Sequence, residues 1–214
     1  NDTIQFTDVG RNGTTIGGVI VDLSKNQTYG SLDTYRVIND GFEKAKYLDS
    51  IENVIGTSYD DTIFGNSDSN NLIGGAGADT LRGGTGSNYL NGGTGEDWAY
   101  FDNIAGYGTH ITLTGGFMSG AQINTDNNVL VSIEHIKVTG QHDIIYTDSV
   151  HNTIFSLGGN DTLYASKGGD YIDGGEGSDL LDFSATINAD SVTPYSGIKV
   201  DLGQTVAQTV HDYY

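Results

Sequence analysis

The sequence contains no cysteine, one proline and few basic residues, and these shortages exclude several classes of protein. Without cysteine no disulfide can stabilise the fold, so an extracellular protein of this kind needs another form of cross-link. Lys and Arg total 9 against 28 Asp and Glu, which gives a formal net charge of -19. Nucleic acid is excluded as a partner because phosphate contacts require basic side chains, and anionic membranes are disfavoured for the same reason. The acidic excess suits a cation instead.

Long apolar runs and catalytic motifs are also missing. No stretch of about 18 apolar residues occurs, so the sequence predicts no membrane span. It has neither the HExxH motif of zinc proteases nor the GxSxG nucleophile elbow of lipases. We therefore predict that the chain is not an enzyme and has no catalytic residues.

Glycine is abundant, with 32 residues, and it recurs in units of nine. Reading from Gly56 gives GTSYDDTIF, GNSDSNNLI, GGAGADTLR, GGTGSNYLN and GGTGEDWAY. Reading from Val138 gives VTGQHDIIY, TDSVHNTIF, SLGGNDTLY, ASKGGDYID and GGEGSDLLD. The eighth place is apolar in every unit, and the sixth place is Asp or Asn. The sixth-place residues are Asp61, Asn70, Asp79, Asn88, Asp97, Asp143, Asn152, Asp161, Asp170 and Asp179.

Two units, GGAGADTLR and GGEGSDLLD, match the pattern GGxGxDxUx in full, where U is apolar. This pattern is the calcium-binding repeat of RTX proteins. The chain resembles that family, the haemolysin-type calcium-binding nonapeptide repeats, over roughly residues 51–103 and 133–183. The resemblance implies an all-β fold, a parallel β-roll of the right-handed RTX β-helix type, with Ca²⁺ held between glycine-rich turns.

The physical chemistry of the repeat agrees with that implication. Glycine permits positive φ, so the GGxGxD half predicts a sharp turn. The xUx half predicts a short strand whose central side chain points inward. Two units make one coil, so units one, three and five of each array stack along one edge, and units two and four along the other. The glycines expected to help bind the metal are Gly74, Gly75, Gly77, Gly92, Gly93, Gly95, Gly174, Gly175 and Gly177.

The sixth-place residues predict which edges bind calcium. Calcium prefers carboxylate and carbonyl oxygens, whereas Asn offers a neutral oxygen. The odd units carry only Asp; the even units carry Asn70, Asn88, Asn152 and Asp170, and we expect weaker sites or none there. The alternative is that Asp and Asn are ordinary turn formers. We predict about four firm sites, at Asp61/Asp79, Asp79/Asp97, Asp143/Asp161 and Asp161/Asp179.

Whole modules repeat as well as single units. Residues 50–55 before the first array parallel residues 132–137 before the second, and residues 2–6 resemble the end of the first array. Residues 18–23 recur as residues 197–202. We therefore expect a slice through a longer tandem run, in which the flanks form strands that cap or extend the roll. The predicted regions are the tail of a preceding array with flanking strands (1–50), the first β-roll (51–103), connecting strands (104–137), the second β-roll (138–183) and flanking strands of a following module (184–214).

Ninth-place aromatic residues are expected to face outward in the second array. Tyr146 and Tyr164 are predicted to stack on one sheet, with Phe155 on the other. Such side chains either contact a flanking strand or form a face for a surface glycan or for self-association.

Two functions remain open. The first is a structural calcium-binding region of a large secreted or cell-surface RTX protein, such as an adhesin, S-layer protein or toxin, which folds on binding calcium after type I secretion. The second is the non-catalytic RTX region of a secreted protease, lipase or alginate epimerase, where it aids folding or binds polysaccharide. The tandem modules favour the first.

Overall fold

The computed structural model describes residues 2–6, 17–23, 50–101, 108–113, 121–123, 126–166 and 169–183. Every regular element within these ranges is a strand, and none is a helix of the length and apolarity needed to cross a membrane. The strands are β1 (Asp2–Gln5), β2 (Ile20–Asp22), β3 (Ile51–Ile55), β4 (Thr62–Phe64), β5 (Asn71–Ala76), β6 (Thr80–Arg82), β7 (Tyr89–Thr94), β8 (Trp98–Tyr100), β9 (Thr109–Thr112), β10 (Ala121–Ile123), β11 (Asp126–Val131), β12 (His135–Lys137), β13 (Ile144–Tyr146), β14 (Thr153–Phe155), β15 (Gly158–Gly159), β16 (Thr162–Tyr164), β17 (Tyr171–Asp173), β18 (Glu176–Gly177) and β19 (Leu180–Asp182).

These strands form two main sheets and one short pair. The ten-stranded sheet has the order β1-β3-β5-β7-β11-β10-β9-β13-β16-β19, and the seven-stranded sheet has the order β17-β14-β12-β8-β6-β4-β2. Within each array, every strand pairs in parallel with the strand two units away, as β4 with β6 and β5 with β7. The predicted all-β parallel roll with two units per coil is confirmed.

The core is a column of eighth-place side chains between the two sheets. Each short strand buries its central residue, as β4 buries Ile63 between half-buried Thr62 and Phe64. This alternation follows from the pleat, which points successive side chains to opposite faces. At the end of the second array Ile172 and Leu181 are only partly buried. The fully buried members are Ile63, Leu72, Leu81, Leu90, Ala99, Ile145, Ile154 and Leu163.

The two arrays share both sheets. Strand β12 pairs with β8 of the first array on one side and with β14 of the second on the other. The odd strands of the first array lie in the seven-stranded sheet, whereas the odd strands of the second lie in the ten-stranded sheet. The odd turns of the two arrays therefore lie on opposite edges of the roll.

The segment between the arrays reverses direction inside the ten-stranded sheet. Strand β9 is parallel to β13, and β11 is parallel to β7. Strand β10 lies between them and is antiparallel to both. The sequence predicted connecting strands here but not an antiparallel one.

Both junctions in front of an array have the same construction. Strand β1 pairs with β3 as β8 pairs with β12: the Phe6 N–H donates to the Ile55 carbonyl (2.9 Å), and Phe101 donates to Lys137 (2.8 Å). Strand β2 likewise pairs with β4 as β9 pairs with β13. The expectation that flanking strands extend the roll is confirmed at these strands. The further copy at residues 197–202 lies outside the described residues.

Candidate metal centre

Sixth-place carboxylates link successive coils through the backbone. In the first array the Asp61 N–H donates to Asp79 Oδ1 (2.7 Å), and the Asp79 N–H donates to Asp97 Oδ1 (2.8 Å). In the second array Asp143 donates to Asp161 (2.8 Å), and Asp161 donates to Asp179 (3.0 Å). Each carboxylate thus uses one oxygen to hold the residue eighteen positions earlier. The second oxygen is left for another partner.

The glycines give the turns their shape in two ways. Gly75 and Gly77 have φ of 125° and 115°, in the region that side chains avoid, and the prediction of positive φ is confirmed at both. The first place of a unit requires glycine for a different reason, because no side chain fits there. A Cβ on Gly74 would collide with Asp79 Oδ2 and would lie 2.7 Å from the Gly92 carbonyl oxygen. The other predicted glycines with positive φ are Gly93, Gly95, Gly175 and Gly177.

Three odd-unit carboxylates each have a buried oxygen that accepts no well-aligned hydrogen bond: Asp79 Oδ2, Asp97 Oδ2 and Asp161 Oδ2. All three residues are almost completely buried. The Ser156 hydroxyl lies close enough to Asp161 to oppose the rise that burial causes in its pKa. Asp79 Oδ2 and the Gly92 carbonyl oxygen both lie within 2.7 Å of the position that a Cβ on Gly74 would occupy. A buried acceptor without a donor is costly, and a cation between the two oxygens would satisfy both.

The buried carboxylates also raise one another's pKa. Burial raises the pKa of Asp79 to about 7, and the charges of Asp61 and Asp97 add to that rise against a backbone hydrogen bond that lowers it. Burial likewise raises the pKa of Asp97 to about 6, with Glu134 and Glu96 contributing. Without a compensating positive charge, the ionised forms of these stacked aspartates are therefore disfavoured.

The available donors in the odd turns are carboxylate and carbonyl oxygens. Within the described ranges no three His, Cys, Asp or Glu side chains form a group that could hold a metal ion. A cation in an odd turn would be bound by two carboxylates and by turn carbonyls, which are the hard oxygen ligands that calcium accepts. The residues present therefore fit Ca²⁺, with Asp79, Asp97 and Asp161 supplying the oxygens that lack a donor.

Comparison with protein families agrees with this chemistry. The family model described as RTX calcium-binding nonapeptide repeat (4 copies) matches residues 49–81, 64–99 and 146–181. The chain therefore contains RTX calcium-binding nonapeptide repeats in both arrays. Such repeats bind calcium ions in general, and RTX repeat domains are generally structural and non-catalytic. A search of curated proteins found no match.

The first RTX turn of each array satisfies its carboxylate internally. The Thr57 N–H donates to Asp61 Oδ2 (2.6 Å), and its hydroxyl donates to Asp61 Oδ1 (3.1 Å). In the second array the Thr139 hydroxyl donates to Asp143 Oδ1 (3.0 Å). These threonines occupy the second place of their units, where a full RTX motif has glycine. The repeat pattern predicts calcium sites at Asp61 and Asp143 but gives no sign of these threonine partners.

In its even turn, the side-chain amide of Asn88 takes the role that a cation would have in an odd turn. Its Nδ2 donates to the carbonyl oxygens of Gly84 (3.4 Å), Thr85 (3.3 Å) and Gly86 (3.1 Å). Its Oδ1 accepts from the Asn70 N–H (2.8 Å), as the odd carboxylates do in their column. The amide nitrogen therefore lies where an odd turn has its buried carboxylate oxygen, and it satisfies the turn carbonyls without metal.

The other even residues are satisfied differently. Asn70 and Asn152 donate from Nδ2 to the carbonyls of Glu52 (3.2 Å) and Glu134 (3.3 Å). Asp170 accepts from the Asn152 N–H at Oδ1 (3.1 Å) and from the Thr147 hydroxyl at Oδ2 (3.0 Å). These hydrogen bonds support the prediction of weaker even-edge calcium sites.

The outward aromatic residues contact one another and the flanking strands. Tyr146 and Tyr164 stack with ring centroids 4.3 Å apart and planes at 6°, as predicted. His110 of β9 lies 5.6 Å from the Tyr146 ring. On the other sheet the Trp98 ring lies 4.9 Å from His135 of β12. Contact with a flanking strand thus accounts for Tyr146.

Proposed function

We propose that this chain is a calcium-dependent structural region of a larger secreted or cell-surface RTX protein. The observation that carries the proposal is the set of buried oxygens of Asp79, Asp97 and Asp161 that lack donors in the odd turns. In this proposal calcium binds between successive odd turns, where the sixth-place carboxylates and the carbonyls of the glycine turns are its ligands. The two sites of the first array then lie on one edge of the roll, and the two sites of the second array lie on the opposite edge.

Calcium binding is coupled to folding in this proposal. Without the ion, burial raises the pKa of Asp79 to about 7, and repulsion from the charges of Asp61 and Asp97 adds to that rise. The ion removes that repulsion and joins coils whose apolar interior is a single column of side chains. Extracellular calcium modules bind at about 10⁻⁴–10⁻³ M, far above cytosolic calcium. The chain would therefore pass through a type I secretion channel unfolded and fold outside the cell.

The parent protein is proposed to be of adhesin, S-layer or toxin type. In support, the junction of β1 with β3 repeats that of β8 with β12, as expected of modules in tandem. The alternative remains a non-catalytic region of a secreted enzyme. The sequence that precedes this region in the parent gene separates the two, because further modules support the first and a catalytic domain supports the second.

Circular dichroism and calorimetry test the calcium proposal directly. The purified chain is expected to gain β-structure when calcium is added and to lose most of it with a chelator. Magnesium is the control, since it demands octahedral geometry and keeps its waters, and it should not replace calcium. Calorimetry should count about four firm sites, or five with the junction site argued below. A far-UV spectrum that does not change on chelation would refute calcium-dependent folding.

A further inference from the structure

The odd column of the first array continues beyond its fifth unit. The Asp97 N–H donates to Glu134 Oε2 (2.9 Å), just as the Asp79 N–H donates to Asp97 Oδ1 (2.8 Å). Glu134 belongs to the segment before the second array and lies 37 residues from Asp97. Its carboxylate thus takes the place of the sixth-place Asp of a unit that the array does not contain.

Ser132 replaces the first glycine of that missing unit. Within the array, a Cβ on Gly74 would meet both Asp79 Oδ2 and the Gly92 carbonyl oxygen. A Cβ on Gly92 would meet Asp97 Oδ2 and the Ser132 carbonyl oxygen in the same way. Ser132 has φ of 49°, a left-handed conformation that is unusual for a residue with a side chain.

An oxygen without a donor points into this junction. Asp97 is completely buried, and its Oδ2 accepts no hydrogen bond. The carboxylates of Glu134 and Glu96 lie close enough to disfavour the charge of Asp97. Glu96 is held by His135 Nε2 at 3.0 Å, so it is already engaged. Asp97 Oδ2 and the Ser132 carbonyl oxygen both lie near the position of a Cβ on Gly92, and the Glu134 carboxylate is held beside them by the Asp97 N–H.

We propose that Asp97, Ser132 and Glu134 form a further calcium site that joins the first array to the second. Asp97 Oδ2, the Ser132 carbonyl and the Glu134 carboxylate supply hard oxygen ligands of the kind that Ca²⁺ prefers. The site rests on the proposed calcium-binding function and adds residues outside the nonapeptides to it. Because its ligands come from the end of the first array and from the residues just before β12, the ion holds β12 in register with β8.

The first junction provides a matched control. The Asp2 N–H donates to Glu52 Oε2 (2.7 Å), and Ser50 has φ of 56°, so both features recur. Asp2 is exposed, however, whereas Asp97 is completely buried, so the described residues of the first junction hold no buried carboxylate oxygen that lacks a donor. Glu52→Gln should thus leave calcium binding unchanged, whereas Glu134→Gln should remove a site.

The test combines calorimetry with terbium luminescence on the full chain. Trp98 is the only tryptophan and directly follows Asp97, so excitation at the red edge of its absorption reports Tb³⁺ bound near Asp97. Glu134→Gln keeps a hydrogen-bond acceptor for Asp97 but loses the charge. It should weaken one site on the order of tenfold, so that this site loses about half of its occupancy or more at a calcium concentration that only just saturates the wild type. The Trp98-sensitised signal should fall as well, and Glu52→Gln should change neither.

The outcomes separate this site from the general function. If the wild type binds no calcium, the proposed function fails and the junction site with it. If the wild type binds calcium and Glu134→Gln binds as many ions with an equal Trp98-sensitised signal, the junction site alone is overturned. If the variant does not fold, the test is anomalous diffraction from wild-type crystals grown with calcium. An anomalous peak between Asp97 and the Ser132 carbonyl would support the site, and peaks confined to the other odd turns would overturn it.

Discussion

Replacing Asn88 by Asp would convert an even turn of the roll into an odd one. In the native turn the Asn88 amide donates to three carbonyl oxygens at 3.1–3.4 Å. Asp cannot donate when ionised, so these bonds are lost and a carboxylate oxygen faces the same carbonyls. The amide has two N–H hydrogens to share among these carbonyls, so at about 1 kcal/mol for each N–H we expect a loss of roughly 2 kcal/mol at limiting calcium. Repulsion between the new carboxylate and the carbonyls adds to that loss.

Calcium should reverse much of this effect. The new carboxylate and the carbonyls of Gly84, Thr85 and Gly86 are the ligand types that calcium takes in the odd turns. The assay is urea denaturation followed by circular dichroism, at the lowest calcium concentration that folds the wild type and at saturation. The loss should be smaller at saturation, and calorimetry should count an additional ion.

The reciprocal variant is the control. Asp79→Asn removes a carboxylate whose pKa is raised from 3.8 to about 7, a rise of about three pH units or roughly 4 kcal/mol. Because the amide still loses its hydration, we expect a gain of about half that at limiting calcium and weaker calcium binding at saturation. The distinction between odd and even turns would be refuted if Asn88→Asp lost the same free energy of unfolding at limiting and at saturating calcium and bound no additional ion.

Three further predictions concern other parts of the roll. Without calcium, Asp79 is protonated more readily in the folded chain than in the unfolded one, so its contribution to folding is fully present below about pH 4 and is lost as the pH rises towards 7. Circular dichroism in chelator should show more β-structure at pH 4 than at pH 7, and the opposite trend would contradict the raised pKa. Leu81→Ala should cost about 2–5 kcal/mol of unfolding free energy at saturating calcium, because Leu81 is fully buried; a loss below 1 kcal/mol would mean that the column contributes little. Thr57→Val should cost about 1 kcal/mol in urea denaturation because Asp61 loses the hydroxyl bond, whereas Thr85→Val, at an exposed turn position, should cost less.

The period of the sequence by itself determined the strands, the turns and the inward column. Each nonapeptide contains its own turn glycines and its own inward residue, as Gly75 and Leu81 do in the third unit. A strict period of nine repeats the same contacts every eighteen residues, so the stacking of Asp61, Asp79 and Asp97 could be predicted without coordinates. In the first array the alternation of Asp with Asn predicted which edge carries the buried carboxylates for the same reason, whereas in the second array Asp170 is buried on the even edge as well.

Only the tertiary structure decided what happens where that period breaks. The connecting segment has no repeat, so its sequence did not indicate that the arrays share two sheets with their odd turns on opposite edges. The contact of Asp97 with Glu134 spans 37 residues and depends on how β9, β10 and β11 bring the chain back. The roles of Asn88 and Thr57 likewise depend on side-chain direction, which residue type alone does not determine: an amide can turn its nitrogen inwards, and a hydroxyl can reach a carboxylate only if the turn brings it within hydrogen-bond distance.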